Sequence, residues 1–311
     1  MDERFKVKFM KLNISELKEK FGKNIIFKEN LSKYSWFNLG GPADIFFRPE
    51  NKIQLLRFLD EVRKKDCQIN ILGAGSNTLI RDSGVRGSVI KLGSKFSYIN
   101  LLDKDKIEVG AATLDRKVSD FAKNNNIGNM EFLSCIPGSI GGAITMNSGC
   151  YGTEISDVLM SIKVIDNKGK EREIKNEDIK FYYRGTNLPT NYLILSAVLK
   201  GNVSTKKIIE KKQQELIKRK KESQPSQIKT GGSTFKNNNK KKAWELIKES
   251  GSDKFYVGDA KISEKHCNFF INNGKAKASD IETLIINVQQ EVKSKTGITL
   301  DLEIKIIGDE I

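Results

Sequence analysis

The sequence predicts a mixed α+β protein with an N-terminal and a C-terminal part. Apolar strands and amphipathic helices follow one another without an internal repeat, and 311 residues are enough for about two domains. A polar helix over 205–221, followed by an aperiodic stretch that contains Pro225, marks the main boundary between the two parts.

In the N-terminal part, apolar side chains at helical spacing predict a helix over 52–65, and the apolar run 69–72 predicts the strand after it. A second, shorter helix over 114–123 is predicted with Thr113 as its cap. The residues Asn167–Gly169 are a turn signal between the two strands of a hairpin. The other predicted strands are 89–92, 107–111, 161–166, 170–174 and 192–199.

The C-terminal part is predicted to contain two helices and two strands. The helix over 280–295 has its apolar residues in one stripe and opens with a capping-box pattern from Ser279 to Glu282. The final strand, 299–307, alternates in hydrophobicity and therefore places Glu303 on the face opposite its apolar residues. The other two elements are a helix over 243–250 and a strand over 268–272.

The net charge is strongly positive, at +15, and the pI is about 9.4. Lysine is abundant along the whole chain, which indicates a compositional bias more than a localised binding patch. The densest basic run, 206–221, carries apolar residues at roughly helical spacing, so its lysines are expected on a solvated helix face. On charge alone, attraction of an anionic small molecule and binding of nucleic acid both stay open.

Cysteine and histidine usage excludes several kinds of site. The chain has four cysteines without a CxxC pair and a single histidine, His266, so a zinc site is excluded and no metal ligand is assigned. A Ser-His-Asp or Cys-His triad would need His266 as its base.

No apolar run approaches the ~18–20 residues that span a bilayer, and the N-terminus lacks an apolar signal core. We therefore expect a cytoplasmic protein with reduced thiols and no membrane partner.

Three glycine-rich loops occur in the first half of the chain, at 38–43, 73–77 and 135–152. The second loop follows a strand, as the glycine-rich loop of a dinucleotide-binding fold does. However, Thr78 occupies the position of the third glycine in that fingerprint, and the acidic residue expected about 20 positions later is missing. This loop is either a plain turn or a nest of N–H groups for a pyrophosphate. The third loop is predicted to be irregular and close to a ligand. Together the loops favour a long cofactor whose phosphates lie along the backbone.

Three other features have both a structural and a functional interpretation. The segment 231–237, with its two glycines, is either a hairpin turn or a binding loop. Arg184, which follows two tyrosines, is either an arginine packed on aromatic rings or a functional cation. Glu303 is either a solvated strand carboxylate or a group of the site.

A resemblance to a known family extends over seven segments in the correct order. They are WFNLGGPAD (36–44), ILGAGSNTLI (71–80), CIPGSIGGAITMNSGCYG (135–152), FYYRGTNL (181–188), GGSTFKN (231–237), DAKISEKHCNFFINNG (259–274) and LEIKIIG (302–308). The chain thus resembles the bacterial UDP-N-acetylenolpyruvoylglucosamine reductases, also called UDP-N-acetylmuramate dehydrogenases. The short connection between Arg184 and the 192–199 strand is similar to the second type of this family.

The resemblance implies an FAD-binding domain of the vanillyl-alcohol-oxidase (PCMH) type over 31–204, made of two α+β subdomains with a division near residue 92. An N-terminal extension, 1–30, would precede it, and an α+β UDP-sugar domain, 205–311, would follow. The implied reaction reduces UDP-N-acetylglucosamine-enolpyruvate to UDP-N-acetylmuramate, with NADPH as co-substrate, for peptidoglycan. FAD is expected to be non-covalent because His266 lies outside the FAD domain.

The resemblance also implies three catalytic residues, which are remote in sequence and must converge over the isoalloxazine ring. Arg184 would stabilise negative charge that develops on the substrate carboxylate during hydride addition. Ser233 would deliver a proton to the carbon next to the hydride acceptor. Glu303 would act as a protonated acid, because a neighbouring substrate carboxylate raises the pKa of such a group.

The remaining implied site residues bind the cofactor or the substrate. Those assigned to FAD are Gly73, Ala74, Gly75, Ser76, Asn77, Pro137, Gly138, Ser139, Gly141, Gly142, Ala143 and Asn147. Lys236, Asn237 and His266 are assigned to the UDP-sugar, with a purely structural His266 as the alternative. Asn238 stands where the family usually has proline, which puts the rigidity of this loop in doubt.

Two other functions compete with the reductase. The first is an FAD-dependent oxidase that uses oxygen, and the second is a basic nucleic-acid-binding protein without flavin. Arg184, Ser233 and Glu303 together favour the reductase. The expected partners are therefore the UDP-sugar substrate and NADPH, without nucleic acid, and the protein is expected to act as a monomer.

Overall fold

A computed structural model describes residues 13–238 and 240–310 and divides the chain into two compact units. The first unit holds the residues up to Glu29 together with Asp44–Ala74 and Arg86–Lys218. The second holds Asn30–Ala43, Gly75–Val85 and the residues from Arg219 onward. The division into an FAD-binding domain and a UDP-sugar domain stays a prediction. Residues 1–12 of the predicted N-terminal extension lie outside the described residues.

The described residues contain both α-helices and β-strands. The helices are α1 (Ile14–Phe21), α2 (Lys52–Lys64), α3 (Asp115–Asn124), α4 (Ile140–Thr145), α5 (Lys206–Ser223), α6 (Ala243–Glu249) and α7 (Ala278–Thr296). The strands are β1 (Ile25–Asn30), β2 (Pro42–Phe47), β3 (Ile69–Ile71), β4 (Thr78–Ile80), β5 (Val85–Ile90), β6 (Ile99–Asp103), β7 (Lys106–Gly110), β8 (Ile127–Gly128), β9 (Gly149–Cys150), β10 (Thr153–Glu154), β11 (Leu159–Ile165), β12 (Glu171–Lys175), β13 (Phe181–Tyr182), β14 (Gly185–Thr186), β15 (Leu193–Lys200), β16 (Asn202–Val203), β17 (Lys229–Ser233), β18 (Tyr256–Val257), β19 (Ala260–Ile262), β20 (Phe269–Asn272) and β21 (Lys305–Ile307). None of the described helices combines the length and hydropathy needed to cross a membrane.

The first unit is built on two sheets. A four-stranded sheet in the order β1-β2-β5-β3 buries the apolar faces of α1 and α2, where the Phe47 and Phe58 rings stack at 3.9 Å. A five-stranded antiparallel sheet in the order β12-β11-β15-β7-β6 shares a second core with α3. The predicted turn Asn167–Gly169 joins β11 to β12, so the predicted hairpin is confirmed.

The second unit contains one antiparallel sheet and one parallel pair. The sheet has the order β17-β20-β19-β18 and buries one face of α6 and α7 in its core. β21 pairs with β4 in parallel, with Ile306 opposite Leu79. The parallel pair attaches the end of the chain to the strand that follows the second glycine-rich loop.

The basic run 206–221 is a helix with one buried face, as predicted. Ile209 and Leu216 of α5 are buried, and the buried Gln213 donates a hydrogen bond of 2.7 Å from Nε2 to Ser119 Oγ. Ile208 is 61% exposed, so the helix carries one apolar residue on its solvated side. The lysines of this run therefore belong to a solvated surface of an ordinary packed helix.

Three local predictions were wrong. The segment 135–152 is not wholly irregular, since it contains α4. Thr113 does not cap α3, because its hydroxyl donates to the Tyr98 carbonyl instead. The final strand is limited to β21, although Leu302 makes an isolated bridge to Phe235.

Of the two interpretations left open for 231–237, the structure does not support the hairpin turn. The glycine pair lies in β17, where the register with β20 shifts after Thr230.

The start of α7 also differs from its prediction. The helix begins at Ala278, before the predicted capping residue Ser279. The carboxylate of Asp82, from the loop after β4, accepts the N–H groups of Ala278 and Ser279 at 2.9 Å each. A carboxylate at this end satisfies two unpaired N–H groups and complements the helix dipole.

We expect Asp82→Ala to lower the free energy of unfolding by about 1–2 kcal/mol, because two N–H groups at the start of α7 lose their acceptor. Urea unfolding monitored by circular dichroism measures this change. Asp178→Ala, at an exposed carboxylate, is the matched control. Equal midpoints for the two variants would contradict the capping role.

Candidate functional site

Two of the glycine-rich loops meet in the first unit. A Cβ built on Gly73 would lie 3.1 Å from the Ser139 Oγ, so the Gly73–Ala74 end of one loop contacts the start of the other. Lys91 donates a hydrogen bond from Nζ to the Gly73 carbonyl. The structure therefore brings together two stretches that the sequence assigned to one cofactor.

The segment 137–143 is held by backbone bonds on both sides. Ile140 N donates to the Thr113 carbonyl at 3.0 Å, and Gly141 N donates to the Ala111 carbonyl at 2.9 Å. Gly138 lies so close to α3 that an added Cβ would be 2.6 Å from Asp115 Oδ2, and only glycine fits there. The assigned residues Pro137, Gly138, Ser139, Gly141, Gly142 and Ala143 thus form one fixed stretch that leads into α4.

Asn147 is buried and uses both ends of its side chain inside the protein. Its Nδ2 donates to Glu154 Oε2 at 2.7 Å and to the Tyr182 carbonyl at 3.4 Å, while its Oδ1 accepts from Ser156 N at 3.3 Å. These bonds connect the end of the third glycine-rich loop to the β13–β14 hairpin. Through these contacts, Asn147 positions the backbone of Tyr182 and Ser156 next to the loop.

Arg184 lies in the two-residue turn between β13 and β14, and it has a φ of 58°. Such a conformation is strained for a residue with a side chain and is typical of functional sites. The guanidinium lies 4.8 Å from the centre of the Tyr183 ring, and Nη2 donates to the Gly149 carbonyl at 3.2 Å. Glu154 Oε1 is 4.0 Å from Nη1. The arginine is therefore packed on an aromatic ring and also held next to the third glycine-rich loop.

The rest of the second glycine-rich loop belongs to the second unit. The Gly75 carbonyl accepts the Trp36 N–H at 3.0 Å. Asn77 bonds the end of the chain twice, because its Nδ2 donates to the Glu303 carbonyl at 3.0 Å and its carbonyl accepts from Lys305 N at 2.9 Å. Ser76 lies between them. A residue assigned to FAD and a residue assigned to catalysis are therefore directly bonded.

Ser233 and Glu303 lie on neighbouring segments of the second unit. Ser233 is the last residue of β17, and Glu303 N donates to the carbonyl of the next residue, Thr234, at 2.8 Å. Asn268, which is buried, fixes this segment from the other side: its Oδ1 accepts from Phe235 N at 3.0 Å and its Nδ2 donates to the Phe235 carbonyl at 2.8 Å. The sequence placed Ser233 and Glu303 far apart, and the fold sets them side by side.

His266 supports this arrangement in the neutral form. Its Nδ1 accepts the Asn268 N–H at 3.3 Å, and its ring meets Phe269 edge-on at 4.9 Å. Burial, together with the charge of Lys248, lowers the pKa of His266 below its usual value. A neutral ring that accepts at Nδ1 carries its proton on Nε2.

The loop after Ser233 is ordered by two asparagines. Lys236 N donates to the Asp301 carbonyl at 2.8 Å, and Asn237 Oδ1 accepts the first N–H of α6, from Ala243, at 2.9 Å. Asn238 Oδ1 accepts the N–H groups of residues 240 and 241 at 2.8 Å each. These bonds hold the backbone of residues 240 and 241 next to the side chain of Asn238.

The first glycine-rich loop, 38–43, does not need a ligand to explain its glycines. A Cβ built on Gly41 would lie 2.1 Å from the Asp82 carbonyl oxygen, so the two backbones pack directly against each other in the second unit. The inference from three loops to one long cofactor therefore rests on the other two loops.

Two polar residues near Gly73 and Gly138 were missed by the sequence analysis. Burial, and secondly the charge of Arg48, lowers the pKa of Lys91 to about 8. Asp115 is fully buried, neither oxygen has a hydrogen-bond partner among the described residues, and burial raises its pKa well above the usual range. Lys91 was hidden by the many other lysines, and Asp115 looked like an acidic residue in the first turn of a helix.

These observations fit a cofactor that carries phosphates. The backbone of Gly73 approaches the hydroxyl of Ser139, and Lys91 supplies a cation beside it. Asp115 is a buried polar group without a hydrogen-bond partner among the described residues. Close backbone and a nearby cation are the features that bind diphosphates.

Comparisons with known proteins agree with this interpretation. Residues 224–307 match the family model described as UDP-N-acetylenolpyruvoylglucosamine reductase, C-terminal domain, and residues 43–175 match an FAD binding domain. A UDP-N-acetylenolpyruvoylglucosamine reductase of Pelagibacter ubique is 47% identical over 94% of this chain and 98% of its own. One from Rickettsia bellii is 44% identical over 90% of this chain and 92% of its own. The crystal structure of the Thermus caldophilus enzyme aligns with a TM-score of 0.80 at 31% identity, over 91% of this chain and 98% of its own.

Proposed function

The chain belongs to the UDP-N-acetylenolpyruvoylglucosamine reductase family, and from this premise we propose that Arg184, Ser233 and Glu303 carry out its reaction. The protein is an FAD-dependent oxidoreductase of peptidoglycan synthesis that reduces the enolpyruvyl ether of its UDP-sugar substrate. The observation that supports the residue assignment best is the hydrogen bond from Glu303 N to the Thr234 carbonyl, beside Ser233.

FAD, when bound, would supply the hydride transfer from NADPH to the enolpyruvyl substrate. The residues assigned to it fall on the fixed stretch 137–143 and the loop 73–77, with Lys91 at the edge of the latter. We assign the phosphates to the loop 73–77 and to Lys91, because backbone N–H groups and a cation stabilise negative charge. Asn147, which is also assigned to FAD, is held in place by its bonds to Glu154 and to the Tyr182 carbonyl.

The reduction adds a hydride to one carbon of the enolpyruvyl group and a proton to the other. Hydride addition to the terminal carbon leaves negative charge on the adjacent carbon and on the carboxylate. Ser233 donates its hydroxyl proton to that adjacent carbon, which gives the saturated ether. A serine hydroxyl is a weak acid, so this step requires a strongly basic, carbanion-like substrate and later reprotonation of Ser233.

The two charged residues stabilise the same developing anion in different ways. Arg184 offers a planar pair of donors that suits a carboxylate, and its turn and its Tyr183 contact hold it in place before reaction. Glu303, in its protonated form, donates a hydrogen bond where charge accumulates. Its backbone is fixed on both sides, because its N–H bonds Thr234 and its carbonyl accepts from Asn77.

The substrate's UDP-sugar part is assigned to Lys236, Asn237 and His266, of which His266 acts mainly through Asn268. We also propose that the protein works as a cytoplasmic monomer without membrane or nucleic-acid partners.

The experiment that tests the function measures NADPH oxidation by the purified yellow protein with and without the enolpyruvyl substrate. Oxidation that requires this substrate supports the reductase, whereas oxygen consumption in its absence would favour an oxidase.

We expect FAD to bind more weakly above pH 8. Below that pH Lys91 is charged, and above it the residue is neutral in the protein without FAD, because its pKa is about 8. A bound diphosphate favours the charged form, so binding then requires proton uptake, and the Kd rises by up to about tenfold per pH unit. Fluorescence titration of FAD from pH 7 to 9 measures this slope.

Lys91→Met is the comparison for this pH dependence. The variant should bind FAD more weakly at pH 7 and show a flat profile up to pH 9. An equal slope in the parent and the variant would assign the pH dependence to another group.

A further inference from the structure

The carboxyl group of Asp115 has no evident function in the protein alone. Its side chain is 0% exposed, and neither Oδ1 nor Oδ2 has a hydrogen-bond partner among residues 13–238 and 240–310. Burial without a partner raises its pKa well above the usual range, which favours the protonated, neutral form of the carboxyl group. An unpaired polar group in this environment destabilises the folded protein, because it loses its bonds to water without replacement.

Helix capping does not explain this residue. Asp115 is the first residue of α3, where acidic side chains commonly accept N–H groups, but its oxygens accept none. The contact of α3 with the 137–143 segment is made by backbone, since Asp115 N donates to the Gly138 carbonyl at 3.2 Å. A leucine or an alanine would supply the same N–H.

The side chain is directed at the segment assigned to FAD. Oδ2 lies so close to Gly138 that a Cβ there would be only 2.6 Å away. The next residue, Ser139, contacts Gly73, whose carbonyl receives the Lys91 bond. The unpartnered acid therefore lies against the stretch where two loops and a cation meet.

We propose that Asp115 is a cofactor-positioning residue whose neutral carboxyl group donates a hydrogen bond to an acceptor atom of bound FAD. The proposal rests on the FAD site described above and adds one residue to it. The cofactor then supplies the partner that Asp115 lacks among the described residues. The protein without cofactor is then less stable than it would be with an apolar side chain at this position, and FAD binding removes the penalty.

The experiment compares Asp115→Asn and Asp115→Leu with the parent, using protein freed of FAD and then titrated with it. The Kd of FAD and the thermal midpoint without FAD are measured for each. Asparagine keeps a neutral donor of the same shape, so its Kd should stay within about threefold of the parent value. Leucine cannot donate, so its Kd should rise about tenfold, the value of one hydrogen bond, while its midpoint without FAD stays equal or rises. Asp120→Asn, on the same helix, is the control for a change from carboxyl to amide outside the proposed contact.

The outcomes distinguish a failure of the role of Asp115 from a failure of the FAD site as a whole. Leucine and asparagine variants that both bind FAD as tightly as the parent would overturn the role of Asp115 and leave the FAD site standing. A parent that binds no FAD would overturn both. A difference infrared spectrum provides an independent check, because the carbonyl stretch of a protonated carboxyl group should shift on FAD binding and be absent from Asp115→Asn.

Discussion

Replacing Ser233 by alanine is expected to stop the transfer from reduced flavin to the enolpyruvyl substrate while leaving flavin reduction by NADPH unchanged. The variant loses the proton donor for the substrate carbon but no group that acts on NADPH. Loss of a positioned acid lowers a rate by about 10²–10⁴. Stopped-flow absorbance of the flavin follows both half-reactions separately.

The structure makes this variant a clean test. Ser233 is the last residue of β17, and its neighbours Thr234 and Phe235 keep their backbone bonds to Glu303 and Asn268 whatever side chain it carries. Ser294→Ala, at an exposed position of α7, is the control. A similar loss in both half-reactions would contradict the role of proton donor.

The second large effect is expected for Arg184. Arg184→Gln should lower the rate of the substrate half-reaction by about 10²–10³, because the charge that develops on the substrate carboxylate loses its fixed cation. Arg184→Lys should recover only part of the rate, since an ammonium group cannot present two parallel donors or stack in the same way on Tyr183. Single-turnover stopped-flow kinetics at saturating substrate measures both.

Arg57→Gln, at an exposed residue of α2, controls for the loss of one positive charge from the surface. A lysine variant with full activity would mean that Arg184 acts only as a point charge. A glutamine variant with full activity would remove Arg184 from the catalytic residues.

Elements set by local pattern were predicted from the sequence. The amphipathic helix α2 and the turn at Asn167–Gly169 depend on side chains only a few residues apart, and both are present. Predictions failed where distant residues decide. The glycines before Ser233 left a turn and a binding loop open, but pairing with β20 makes them part of a strand. Asp82, which is distant in sequence, accepts N–H groups at the start of α7 in addition to the local cap by Asp280.

The same distinction applies to the candidate site. The glycine-rich loops were evident in the sequence, because close backbone approach restricts which residues fit. The bond between Asn77 and Glu303 joins residues on two different elements, and no local pattern indicates it. Asp115 became notable only through its burial and its missing partner, which a linear sequence does not reveal.

On the proposed assignment, Arg184, Ser233 and Glu303 act together on one reacting group. Single-turnover kinetics of Arg184→Gln, Ser233→Ala, Glu303→Gln and the triple variant shows whether the three residues act jointly. Residues that work as a unit have strongly non-additive effects, so the triple variant should lose little more rate than Ser233→Ala alone. A loss in the triple variant equal to the product of the three separate losses would contradict the claim.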